Sequence, residues 1–309
     1  MDNTLNPAKK RIVVVGSSNT DMVVKAKRLP VPGETILGGT FLMSPGGKGA
    51  NQSISIARLG ADVVFVSKIG NDLFGMQARE IYKSEMIDTR FVFTDEKNPS
   101  GVALISIDTF GENCIIVAAG ANMSLTVQDI DKAYKSIQEA DMVLLQLEIP
   151  LDTVEHVVDM AYDLRKRVIL NPAPAAHLSE KLMKKLYAIL PNRIEAEMLT
   201  GIKVTDRESA RKAAGIIRGK GVDNVVITLG KEGAYVDGMG CGALLPGKEV
   251  ETADTTGAGD VFCGAFSVYM SEGRTLTESV AFANAAASVA VTRIGAQSSI
   301  PYRYEIDMN

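Results

Sequence analysis

Tryptophan is absent from the 309 residues, and histidine occurs only twice, as His156 and His177. Neither histidine flanks a cluster of carboxylates or cysteines, which speaks against a His-based triad and against a zinc site. Cysteine is scarce as well. Cys114, Cys241 and Cys263 are odd in number, far apart and contain no Cys-x-x-Cys pair, so a disulfide framework is not expected and a reducing compartment is. Cys263, inside an apolar run, reads as a buried small residue. Long hydrophobic runs are missing too. The most apolar charge-free stretch is the 14 residues between Glu278 and Arg293, interrupted by Asn284, Ser288 and Thr292, too short to span a bilayer. Met1 to Lys10 is polar, and the run Ile12 to Val15 is too short for a signal core. A soluble cytoplasmic protein is the expectation. An excess of basic charge is also lacking: 33 Lys and Arg against 37 Asp and Glu leave a net charge of −4. Nucleic acid or an anionic membrane as main partner would require a basic face.

What is present is ordinary globular composition, 46% hydrophobic and 23% charged. Short β-branched runs alternate with longer amphipathic segments, the pattern of a parallel sheet flanked by helices. Strands are expected at Arg11–Gly16, Asp62–Ser67, Asp141–Gln146, Arg167–Leu170, Ala188–Pro191 and Asn224–Leu229. Helices are expected at Lys48–Leu59, Leu73–Ser84, Thr126–Glu139, Asp152–Arg165, Ser179–Leu186, Arg207–Gly219, Ala258–Ser271 and Thr277–Arg293. Several strands are near-continuous Val, Ile and Leu, as when both faces of a sheet are covered. Two stretches, about 22–44 and 101–119, carry strand-like residues and glycine corners with no helix between them. They read as insertions that pair into a small sheet over the ligand face. No repeat, low-complexity tract or Pro-rich linker divides the chain, so residues 1–309 read as one domain.

Chemistry concentrates at two glycine clusters. Asp254-Thr255-Thr256-Gly257-Ala258-Gly259-Asp260 precedes an apolar helical run. Small residues at a helix start leave N–H groups bare for an anion. Asp260 would compete with a bound phosphate unless it faces an acceptor and takes the proton of an attacking hydroxyl; the alternative is a carboxylate that only caps or charges the first turn. The second cluster, Pro45-Gly46-Gly47-Lys48-Gly49-Ala50-Asn51-Gln52, fits neither a Walker loop nor a dinucleotide fingerprint. It offers close backbone approach, one cation and an amide, suited to a polyhydroxylated ligand. Asn19 and Asp21, at the end of the first strand, and Glu148, at the end of another, sit where open α/β sheets bind ligands.

These two signatures, in this order, resemble those of the ribokinase-like carbohydrate kinases, and the resemblance runs through almost the whole chain after Lys10. Gly16 to Asp21, Gln146-Leu147-Glu148, Asn171 to Ala175, Thr228-Leu229-Gly230 and Gly295-Ala296-Gln297 match as well. The resemblance implies a three-layer α/β/α Rossmann-like sheet with a small β lid, and transfer of the ATP γ-phosphoryl to the 5-hydroxyl of D-ribose. It makes Asp260 the base and Gly257, Ala258 and Gly259 the anion hole. It assigns the sugar to Asn19, Thr20, Asp21, Gly47, Lys48, Gly49, Ala50, Asn51 and Glu148. On the nucleotide side it assigns Asn192 and Glu195, with Mg2+ organised through water, then Thr228, Leu229, Gly230, Lys231, Glu232, Gly233, Gly259 and Asn284. Arg193 departs from the family pattern, where that position is often acidic. Without the resemblance, Asn192 and Glu195 read only as a helix capping box. A monovalent cation, usually potassium, is implied beside Asp254, Thr256, Ala290, Arg293, Gly295 and Ser299, and a homodimer joined through the lid. Lys48, Gly49 and Gln52 speak for ribose against hexose or nucleoside acceptors, but deoxyribokinases share the motif. A non-catalytic sugar- or nucleotide-binding regulator is the remaining alternative, and it would have no need of Asp260.

Overall fold

The computed structural model describes residues 9–307. The polar segment read for a signal core lies outside them, apart from Lys9 and Lys10. Thirteen strands follow one another among these residues: β1 (Arg11–Val15), β2 (Asn19–Lys25), β3 (Thr40–Gly46), β4 (Asp62–Gly70), β5 (Asp88–Asp95), β6 (Gly101–Ile107), β7 (Asn113–Ala118), β8 (Met142–Leu145), β9 (Arg167–Leu170), β10 (Ala188–Ile189), β11 (Asn224–Thr228), β12 (Ala234–Gly238) and β13 (Cys241–Leu245). Nine form one sheet in the order β13-β12-β11-β10-β9-β8-β1-β4-β5. From β11 to β5 neighbours are parallel, and β12 and β13 add an antiparallel hairpin at one edge.

The continuous apolar runs follow from cover on both faces. On β1, Ile12 and Val14 pack into one core with Phe65, Phe266 and Ala286, while Val13 and Val15 enter a second core with Val143, Val157 and Ile217. Because side chains alternate across a strand, a run of four apolar residues serves two helical layers. The helices Lys48–Arg58, Ala258–Ser271 and Leu276–Ala290 contribute to the first layer. Leu151–Asp163 and Arg207–Gly219 contribute to the second.

Most expected elements form within a few residues of their expected ends. The single helix expected over Thr126–Glu139 is instead two, Val127–Lys132 and Tyr134–Glu139. Ala133, at φ −92° and ψ 3°, bonds to the carbonyl of Ile130 three residues back, which interrupts the α ladder. The segment Ser179–Leu186 shortens to a helix over Glu180–Met183. The helix Arg193–Thr200 follows the Asn192–Glu195 capping box, whereas strand β5 and the β12–β13 hairpin add to the expected elements.

Leaving β1, the chain pairs first with β4 on one side and later with β8 on the other. The strand order therefore reverses at β1, and the crevice at its C-terminal end is where an open α/β sheet binds ligands. Over that crevice lies a second sheet, β3-β2-β6-β7, built from the two insertions. Asn19 is paired with Gly46 on one side and Gly101 on the other. The first insertion thus starts at Asn19, not near residue 22, and Asn19, Thr20 and Asp21 belong to the small sheet rather than to the end of β1.

Candidate active site

The helix Lys48–Arg58 starts where the backbone of Gly47–Gly49 crosses the chain leaving β1. A Cβ on Gly49 would lie 2.6 Å from the Ser17 nitrogen, so only glycine permits this approach. The Ala50 N–H donates to the Ser17 carbonyl at 2.9 Å, which fixes the helix start against the switch point. From its first turns the side chains of Asn51 and Gln52, both buried, point toward the second glycine cluster.

That cluster opens the helix Ala258–Ser271. Gly257, its N-cap, has φ 75°, a left-handed conformation that glycine adopts without strain. Nothing lies within 4 Å of where a Cβ on Gly259 would stand, so the first turn faces open space. Asp260, in the same turn, is only 7% exposed. One carboxylate oxygen accepts from Asn51 Nδ2 and the other from Gln52 Nε2, each at 2.9 Å. Burial pushes the Asp260 pKa up, against the pull of Lys48 and the two amide donors. A raised carboxylate suits proton abstraction near neutral pH better than an ordinary one.

Around Asp260 the sugar-side residues converge. Burial, then the negative charges of Glu148 and Asp260, raise the Asp21 pKa to about 6. Glu148 accepts from Ser17 Oγ at 2.5 Å and from the Lys48 backbone N–H at 3.1 Å. Burial alone would lower the Lys48 pKa; the carboxylates of Asp260, Glu148 and Glu195 outweigh it and keep the ammonium charged. Asn19 is oriented by Asn122, whose Nδ2 donates to Asn19 Oδ1 at 2.7 Å while its Oδ1 accepts from the Ser18 N–H at 2.9 Å. The Asn51 Oδ1 is buried without a partner, an acceptor free for a hydroxyl. Asn122 lies in no motif, and Ser17, within the matching stretch Gly16 to Asp21, carries no role in sequence; only the pairing of the small sheet brings Asn122 beside Asn19.

On the other side of the helix start lies a cleft of about 800 Å³, lined among others by Thr228, Gly230, Lys231, Ala258, Gly259 and Asn284. Glu232 and Gly233 border it too, whereas Leu229 is buried beneath it. Asn284 donates to the carbonyls of Leu245 at 3.1 Å and Pro246 at 3.2 Å, so its amide supports the cleft wall. Asn192 and Glu195 make the reciprocal capping box of the helix Arg193–Thr200, with Glu195 donating its N–H to Asn192 Oδ1 at 2.9 Å. Glu195 is buried, and its desolvation raises its pKa. Arg193 reaches Glu232 at 2.5 Å and the carbonyls of Leu229 and Val204 at 3.2 Å each.

Behind the anion-binding turn, Asp254 accepts from the Thr256 N–H and hydroxyl at 2.9 and 2.6 Å and from the Gly295 N–H at 2.9 Å. These bonds keep its carboxyl below the usual range despite partial burial. The Ala253 and Asp254 N–H groups meet the Val291 carbonyl, which joins the loop to the segment holding Ala290, Arg293, Gly295 and Ser299. Arg293 itself turns away to Glu305 at 2.6 Å, and Ser299 Oγ donates to the Ala296 carbonyl at 2.8 Å. The ionised Asp254 carboxylate puts a negative charge on this loop that would favour a cation there. Among the described residues no three His, Cys, Asp or Glu side chains cluster as a metal site. Cys263 is buried, and desolvation raises its thiol pKa, which disfavours the reactive thiolate.

Residues 9–303 match the model of the pfkB family of carbohydrate kinases. The chain is 41% identical over 297 residues to ribokinase of Haemophilus influenzae, covering 96% of this chain and 97% of that protein. It is 34% identical over 291 residues to deoxyribokinase of Salmonella typhi, covering 94% and 95%. The structure of Arabidopsis thaliana ribokinase complexed with ribose and ATP superposes with a TM-score of 0.89 at 32% identity, covering 97% of this chain and 98% of that one. The chain belongs to the pfkB family of carbohydrate kinases.

Proposed function

We propose that this chain is an ATP-dependent kinase that transfers the γ-phosphoryl to the 5-hydroxyl of D-ribose. One observation carries the reading: Asp260, nearly buried in the first turn of a glycine-started helix, is gripped at both oxygens by amides of the other glycine cluster. It stands between a polar crevice and a nucleotide-sized cleft. Relatives named ribokinase, and one of their structures with ribose and ATP, support the choice of substrates.

The sugar is held by Asn19, Asp21, Asn51 and Glu148, with Thr20, Gly47, Gly49 and Ala50 shaping the floor and Lys48 balancing the carboxylates. Asp260 takes the proton of the attacking hydroxyl. The backbone N–H groups of Gly257, Ala258 and Gly259 stabilise charge on the transferring phosphoryl. Thr228, Gly230, Lys231, Glu232, Gly233 and Asn284 line or support the nucleotide cleft. Magnesium on the phosphates would supply charge neutralisation, and Asn192 with buried Glu195 would orient its waters. A potassium ion by Asp254 and the 290–299 segment would order the anion-binding turn. The second sheet acts as a lid of the same domain that excludes water as a competing acceptor, and two lids pair in a homodimer.

The reading is tested by ADP release with ribose, 2-deoxyribose, fructose and adenosine as acceptors, with and without potassium. Ribose should give the highest kcat/KM, and Asp260→Asn should lower kcat at least ~100-fold. Strong turnover of 2-deoxyribose without ribose activity would reassign the substrate to the deoxyribokinase reading, for which the Salmonella relative speaks. Undiminished turnover by Asp260→Asn would remove the base.

A further inference from the structure

Beneath Asp260 three buried amides form a chain that the sugar and nucleotide assignments do not use. Gln146 follows β8, Asn171 follows β9, and Gln52 lies on the helix Lys48–Arg58; Gln52 and Gln146 are fully buried and Asn171 is 9% exposed. Gln52 Nε2 donates both of its hydrogens, to Asp260 Oδ1 at 2.9 Å and to Asn171 Oδ1 at 3.1 Å. Gln52 Oε1 accepts from Gln146 Nε2. Asn171 is fixed in turn, because its Nδ2 donates to the Leu190 carbonyl at 3.0 Å.

The consequence is directional. An amide can present either end to a neighbour, and a Gln52 turned over would aim its oxygen at the Asp260 carboxylate and at Asn171 Oδ1. Asn171, whose direction is set by its bond to the Leu190 carbonyl, would then meet Gln52 acceptor against acceptor, as would Asp260, so that orientation is unfavourable, and Gln146 Nε2 completes the observed one. Gln52 therefore meets Asp260 only as a donor. We propose that Gln52, locked by Gln146 and Asn171, is a positioning residue that holds the base ionised and aimed at the acceptor hydroxyl. The inference rests on Asp260 being the base. Burial and the charge of Glu148 raise the carboxylate; Lys48 first, then the Asn51 and Gln52 bonds, lower it, and Gln52 is the donor that a bound sugar has no reason to displace.

The test is the pH profile of kcat/KM for ribose with the purified full chain, alongside KM for ATP and the melting temperature. In Gln52→Glu a carboxylate replaces the donor, and the acidic limb should move up by about one unit or more. Turnover at pH 7 should fall about tenfold or more and recover partly toward pH 9, with KM for ATP changed less than about threefold. Gln146→Met leaves Gln52 in place and removes one of the two bonds that hold its direction; its limb should shift the same way by less. It also serves as the test if Gln52→Glu does not fold. Folded variants whose acidic limb stays at the wild-type position, or whose loss is equal at every pH, would overturn the proposal. Asp260→Asn separates the two levels: an inactive Asp260→Asn beside unshifted limbs removes the relay alone, whereas an active one removes the base itself.

Discussion

Asp21 carries a cost that its position explains. Its pKa, raised to about 6 by burial and by Glu148 and Asp260, lies above that of an exposed carboxylate. Such a group favours folding below its unfolded pKa, and the contribution is lost as pH rises through 6. At neutral pH the ionised Asp21 therefore opposes folding. Asp21→Asn should be more stable than wild type at pH 7.5 by up to about 2 kcal/mol, with little advantage at pH 4. The same variant should raise KM for ribose about tenfold or more, since a charged acceptor is lost. Thermal unfolding at both pH values and initial rates check the pair; an Asn variant no more stable at pH 7.5 would remove the account of strain. In wild type, KM for ribose should rise as pH falls below about 6. The residue type was legible in the sequence, as a polar residue near the switch point. Its raised pKa was not, because the three carboxylates that crowd together are 21, 148 and 260 in the chain.

Among the elements, the helix Arg193–Thr200 and the loop Gly230–Gly233 depend on each other. The Asn192 and Glu195 pattern announced a capping box, and the box forms. The departure at Arg193 acquires a role that sequence could not show, bonding Glu232 and the Leu229 carbonyl and so bracing the loop along the cleft. Arg193 is about a quarter exposed and Glu232 about half, so the ion pair by itself is weak and its effect is on loop order. Arg193→Ala should raise KM for ATP about three- to tenfold with kcat and ribose KM nearly unchanged. An unaltered ATP KM would separate the loop from this contact. The broken helix at Ala133 and the unanticipated β5 teach the same lesson in reverse: propensity sets a preference, and packing against the sheet edge decides the end.

At the scale of the molecule, the small sheet is incompletely covered. Every residue of β7 is exposed; its Ile116 pairs in register with exposed Leu104 on β6, and exposed Phe41, Leu42 and Met43 line the opposite edge strand, β3. A patch of this kind on a sheet with an open edge asks for a partner surface. With a second copy as that partner, sedimentation at micromolar concentration should find dimers. Ile116→Lys should yield monomers with a higher KM for ribose, because an unpaired lid closes poorly. A wild-type profile of monomer alone would sink the lid-paired homodimer.

The sequence by itself determined the layered α/β plan, since unbroken Val, Ile and Leu runs have no other stable use than a sheet covered on both sides. It also marked the two glycine clusters and their family, because close backbone approach restricts residue choice locally. Tertiary structure alone decided that Asn51 and Gln52 grip Asp260 some 210 positions away, that Asn122 orients Asn19, and that Asn19 to Asp21 begin the small sheet. Those relations depend on strand order and pairing register, which join residues remote in the chain, and no local spacing records them.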